Sequence, residues 1–172
     1  MYETKNDLPE ATRSKLIELL GPRLADAIDL QHQAKQAHWN VKGPNFLPLH
    51  KLFDDVAEEA EKYVDLIAER IVQLGGIAEG TIQAVSKSTT LEPYPLGIAD
   101  GREHVTTLAS RLARFARAAR DTIARAEDLG DRVTADIFTD VARGTDMQLW
   151  FVEAHVQGAA VTQQGPRKKQ VA

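Results

Sequence analysis

Apolar residues recur at three- and four-residue intervals along almost the whole chain, and no stretch alternates apolar with polar for long. That period restricts the chain to helices. Leu16, Leu20, Leu24 and Ile28 mark one face of a segment covering about residues 10–40. Gly21-Pro22 lies inside it, and an interior proline kinks or breaks a helix, so a short leading helix and a longer one are expected there. VKGPNF (41–46) reads as a turn, and a second helix over about 48–74 stops at Gly75-Gly76, a strong C-terminal signal. A third helix carries Val105, Leu108, Leu112, Phe115 and Ile123 and ends at Leu129-Gly130; a fourth covers about 132–157.

Residues 75–101 form a connection with Pro93 and Pro95, in which a short helix is expected near 81–86. A structureless loop of that length is uncommon in a compact domain. A helix of about 26 residues is about 39 Å long, and such a connection can return the chain along the bundle so that helices two and three run parallel. One long crossover is the ferritin-like arrangement, so the expected fold is an all-α, ferritin-like four-helix bundle with a short helix in its crossover. The expected division is an N-terminal tail (1–9), the bundle (10–157) and a flexible C-terminal tail (158–172). With 172 residues and 43% hydrophobic content, one domain with its own core is expected. The chain has no cysteine, which excludes disulfides, thiolate metal sites and cysteine nucleophiles. Its net charge of −4 argues against a nucleic-acid binder held by overall charge. The polar start MYETKNDLPE and the lack of a long apolar run imply no secretory signal and no membrane span, hence a cytoplasmic protein.

The second helix is unusual on its polar side. Advancing about 100° per residue from His50 places Asp54, Glu58, Glu61, Asp65 and Glu69 in one wedge about 100° wide. Leu49, Phe53, Val56, Ala60, Tyr63, Ile67, Ile71 and Leu74 cluster almost opposite, so the wedge faces away from this chain's own core. A charge run alone reads as a solvated face. This wedge also holds Leu47, Ala57, Ala68 and Val72, which a solvated face has little reason to include. Its histidine sits at the helix N-terminus, where the dipole disfavours imidazolium and favours a neutral, metal-binding ring.

Asp54 and Asp65 lie about 16 Å apart along the axis, too far for one metal to touch both on one chain. His50 and Glu69, and likewise Asp54 and Asp65, are symmetric about the same point of the helix. Antiparallel against a two-fold copy, each residue therefore meets its counterpart, and the dimer holds two identical sites. His38, at the end of the first helix, can join once VKGPNF folds back. The expected set is His38, His50 and Asp54 from one chain with Asp65 and Glu69 from the other. Two imidazoles with carboxylates suit iron(II) or a similar divalent metal, with zinc as a competitor. The Glu-x-x-His pairs of an intrachain di-iron bundle are absent: Asp29, Lys35, Leu47, Gly101 and Val152 stand three residues before the five histidines.

The motifs "KQAHWNVKGPNFLPLH", Asp54, "DLIAER", "VQLGG", "TADIFT" and "LWFVEAHVQ" resemble the Dps family, the miniferritins also called DNA-binding proteins from starved cells. The resemblance covers about residues 6–157, and the spacing of His38, His50, Asp54, Asp65 and Glu69 matches the family's ferroxidase signature at all five positions. It implies a hollow homododecamer built from two-fold dimers. It also implies oxidation of Fe(II), preferably by hydrogen peroxide, storage of ferric mineral, and protection of DNA by that chemistry.

The resemblance puts Trp39 near the iron as a trap for stray oxidising equivalents, although an aromatic beside an interface is more often packing. Lys35 shares the face of His38 and reads either as a partner for a site carboxylate or as a surface lysine. Asp131 alone reads as an N-cap, and Asp136 and Asp140 as an exposed pair. The resemblance instead implies that acids here line an iron-entry pore. The tail GAAVTQQGPRKKQVA carries Arg167, Lys168 and Lys169 and no acid, so many copies on a shell could hold DNA, or simply solubilise it. A DNA-compacting, nucleoid-associated particle is therefore the alternative function, and a zinc-holding structural bundle a third.

Overall fold

The structure is a computed structural model that describes residues 1–158. Its helices are α1 (Glu10–Asn40), α2 (Phe46–Gln73), α3 (Ile82–Ser88), α4 (Gly101–Asp128) and α5 (Arg132–Gln157). Among the described residues the only β pairing is an isolated bridge between Lys42 and Asp100. The all-α expectation holds, with four long helices and a short one in the crossover. Arg167, Lys168 and Lys169 lie outside the described residues.

The break expected at Gly21-Pro22 does not occur, because α1 is a single helix with Pro22 inside it. An interior proline costs about 3 kcal/mol. Leu16, Leu20 and Leu24 are almost fully buried on either side of it. Each such burial contributes about 1.5–3 kcal/mol, so tertiary packing outweighs the local penalty.

Two helices end in the same way. The Gly76 N–H donates to the Ile71 carbonyl and the Gly75 N–H to that of Val72, with Gly75 at φ +88°. At the end of α4, Asp131 donates to Ala126 and Gly130 to Glu127, with Gly130 at φ +77°. In this motif two carbonyls that the helix leaves orphaned are satisfied by a glycine in the left-handed region. The first motif releases the crossover from α2; the second turns α4 directly into α5.

The crossover runs the length of the bundle. The Lys42 N–H donates to the Ala99 carbonyl, and a Cβ on Gly101 would lie 2.7 Å from Leu49 Cδ1, so α4 begins beside the start of α2. The end of α2 lies beside the start of α5, where Arg70 meets Asp131. Helices α2 and α4 therefore run parallel. Asp26, fully buried on α1, pins the crossover: it accepts from the Thr90 N–H at 2.5 Å and the Thr90 hydroxyl at 3.1 Å, and pairs with Arg23 at 2.9 Å. Further along, Tyr94 bonds Nδ1 of buried His104 at 2.8 Å, and burial lowers the pKa of that imidazole. The N-terminal segment is held too, since the Tyr2 N–H donates to the Gly75 carbonyl at 2.8 Å. No helix among the described residues is long and apolar enough to cross a membrane.

Candidate metal centre

The end of α1 and the start of α2 meet through their histidines. The rings of His38 and His50 stack with centroids 3.7 Å apart. His38 Nδ1 lies 2.6 Å from the His50 carbonyl, and His50 Nδ1 lies 2.9 Å from the His38 carbonyl. A carbonyl only accepts, so both Nδ1 atoms carry hydrogen and both rings present a bare Nε2 lone pair when neutral. The His38 carbonyl is one of the last four of α1 and has no intrahelical donor. One bond thus satisfies a helix end and fixes a tautomer, the usual means by which a metal-binding imidazole is oriented. His38 is 9% exposed, His50 is half-buried, and Phe46 flanks the His50 ring at 5.1 Å.

Asp54, one turn beyond His50, approaches His38 Nδ1 to 3.9 Å and bonds Lys35 Nζ at 2.5 Å. The Lys35 ammonium holds its carboxyl below the usual range; desolvation opposes this, and the neighbouring imidazoles assist. Lys35 also lies 5.9 Å from the centroid of the Trp39 ring, within cation–π range, and Trp39 is 65% exposed. The structure therefore brings His38, His50, Asp54, Lys35 and Trp39 together.

Asp65 and Glu69 are exposed further along α2 and do not join them within the subunit. Among the described residues, no three His, Asp or Glu side chains converge to hold a metal ion. One subunit supplies two imidazoles and a carboxylate at one end of α2, and two carboxylates at the other.

The apolar residues of the same wedge have a symmetry of their own. Leu47 and Val72 are 56% and 57% exposed, and they are symmetric about the point that relates His50 to Glu69. Val72 borders a depression of about 390 Å³ lined also by Ala68, Glu69, Gln73 and Ala78.

Asp131 faces into the subunit. Its carboxylate is 3% exposed, accepts the N–H groups of Val133 and Thr134 as the N-cap of α5, and takes two bonds from Arg70 Nη2 at 2.8 and 2.9 Å. Burial alone would raise its pKa, but the bonds from Arg70 and Thr134 outweigh it and the carboxyl titrates low. Its reach inward to a guanidinium 61 positions earlier had no local signal in the sequence. Asp136 and Asp140 are exposed on one face of α5, beside Leu66 and Thr139, and Asp140 pairs with Arg143.

Four long helices and one long crossover define a ferritin-like fold, and the ferritin-like domain profile matches residues 17–160. The DNA protection during starvation protein of Agrobacterium fabrum is 46% identical over 156 residues, covering 91% of this chain and 96% of its own. DpsC from Streptomyces coelicolor superposes with a TM-score of 0.86 at 31% identity, covering 90% of each chain. The Dps protein of Vibrio cholerae, described as a member of a broad superfamily of ferritin-like diiron-carboxylate proteins, shares the fold at a TM-score of 0.84 and 23% identity, covering 91% of this chain and 98% of its own. The chain belongs to the Dps family.

Proposed function

We propose that this protein is a ferroxidase and iron store whose centres form between two-fold-related subunits. His38, His50 and Asp54 of one subunit would face Asp65 and Glu69 of another across antiparallel α2 helices. Two ferrous ions each give one electron to hydrogen peroxide, the O–O bond breaks, and two protons are taken up to form two waters. No electron remains to generate hydroxyl radical, so DNA is spared by the chemistry itself. Ferric product would accumulate within a hollow dodecamer, with Asp136 and Asp140 concentrating Fe(II) at its entry.

The observation that carries this reading is the reciprocal bonding of His38 and His50, which leaves both Nε2 atoms free of hydrogen on a subunit whose described residues bring no three metal ligands together. Borderline nitrogen donors with carboxylate oxygens suit ferrous iron, and zinc would compete for the same donors. Leu47 and Val72 support the two-fold pairing, because on antiparallel helices Leu47 would enter the depression beside Val72 of the other copy. Lys35 would hold Asp54 in place until metal displaces it, and Trp39 would quench oxidising equivalents that escape. DNA contact through Arg167, Lys168 and Lys169 remains the alternative. The N-terminal segment favours no such role, being acidic and bonded to the end of α2.

Anaerobic Fe(II) followed by peroxide should give rapid ferric absorbance. Replacing His50 and Asp54 together by alanine should abolish the rapid phase, and an unchanged rate would refute the site.

A further inference from the structure

At the end of the bundle far from Arg70 and Asp131, the α1–α2 turn, the start of α4 and the last turn of α5 enclose a cleft of about 170 Å³. Lys42 and Asn45 come from the turn, Arg102 from α4 and His155 from α5. Among the described residues, none of Lys42, Arg102 and His155 makes an ion pair. Asn45 stands at the N-cap position of α2 but makes no side-chain cap bond. Three cationic or ionisable donors and one amide thus converge from three elements without an acceptor of their own. Buried Leu49 and Val105 also line the cleft, while Lys42, Asn45, Arg102 and His155 are exposed to an incoming ligand. The lining also includes one carboxylate, Asp100, which accepts the Arg102 N–H at 2.9 Å as the N-cap of α4.

We propose that this cleft binds a phosphate-type oxyanion, gripped by Lys42 and Arg102 and completed by His155 and Asn45. A guanidinium offers two parallel N–H groups to one phosphate, and an ammonium adds a compact point charge. The shape asks for a tetrahedral group with several acceptors. That group has two sources, free inorganic phosphate and the phosphodiester of DNA. The cleft is distinct from the metal centre: Leu49 faces the core side of α2, about 100° around the helix from His50.

The test is isothermal titration of the metal-free, full-length protein in phosphate-free buffer, with inorganic phosphate in one arm and a short DNA duplex in the other. Saturable phosphate binding is expected, weakened about tenfold or more in Lys42→Ala/Arg102→Ala. Lys87→Ala, on α3, should bind as the wild type does. Lys42→Gln/Arg102→Gln keeps the side-chain bulk and should show the same loss, with unaltered helical circular dichroism. If the duplex also binds and the loss recurs, the phosphodiester is the ligand; if only the ion binds, free phosphate is. The proposal is overturned if neither gives saturable heat, or if both double variants bind like the wild type. Peroxide-driven iron oxidation in the same buffer should be unchanged in these variants, so failure here is separable from failure of the ferroxidase reading.

Discussion

Substituting Asp131 by asparagine tests how the bundle holds the polar wedge of α2 in place. Arg70 and Asp131 are 5% and 3% exposed, and Arg70 Nε also donates to the Thr134 hydroxyl at 3.0 Å. Asparagine is as good an N-cap as aspartate, so the cap is retained and only the charge is lost. Removing one partner of a buried ion pair costs about 3–5 kcal/mol, because the other charge is left uncompensated. The amide oxygen still accepts one bond, which puts the estimate at the low end, about 3 kcal/mol. For a chain of this size each kcal/mol shifts Tm by roughly 2–4 °C, so a fall of roughly 6–12 °C is expected at equal protein concentration. Arg70→Met added to Asp131→Asn should recover most of it, since no buried charge then remains unpaired.

The pH dependence has a definite sign. The folded pKa of Asp131 is below its unfolded value, so its stabilisation is complete above the unfolded pKa of about 3.9 and disappears as pH falls through the folded value. The gap between wild type and variant should therefore be constant around neutrality and close only in acid. Circular-dichroism melts across that range provide the measurement. If Asp131→Asn melts with the wild type near neutrality, or if the gap persists unchanged in strong acid, the charged pair does not hold α2 to α5.

Three further outcomes are expected. Val72→Glu places a charge at both ends of the proposed antiparallel seam and should leave smaller species in light scattering; a full-sized assembly would remove the seam. Gly144→Ala puts a Cβ 2.1 Å from Tyr63 Oη, and such overpacking costs about 1–3 kcal/mol, visible as a lower Tm and relieved by adding Tyr63→Phe. Asp136→Asn/Asp140→Asn should slow steady iron uptake by the assembled protein, and high salt should slow the wild type towards the same rate; uptake that ignores both changes would deny these acids a steering role.

What was legible in the sequence was whatever a helical period and short-range turn chemistry encode. The α2 wedge, the Gly75-Gly76 stop and the small helix of the crossover are all local patterns, and the structure places them within a few residues of expectation. Pro22 misled because its local penalty is real but smaller than the burial of the leucines around it. Asp131 is the converse case. Its local signal as a cap was correct, and only the distant Arg70 shows why its carboxylate turns inward. The anchoring of the crossover by Asp26 was equally hidden, since a buried carboxylate held by threonines 63 and 64 positions away leaves no periodic trace.

The histidine pair shows where sequence reasoning stops and geometry begins. Spacing alone brings His38 and His50 to a common turn, but not which ring nitrogen faces outward, and metal binding depends on that choice. The structure resolves it through backbone carbonyls, one of which α1 leaves without a helical donor. Substituting either residue by glutamine would keep a polar side chain yet lose the ring that bonds a carbonyl from one nitrogen and offers a lone pair from the other. Such a variant should therefore lose Fe(II) affinity while also loosening the join between α1 and α2. The imidazole edge proposed to bind metal and the edge that fastens the two helices belong to the same rigid ring, so neither task can be altered without disturbing the other.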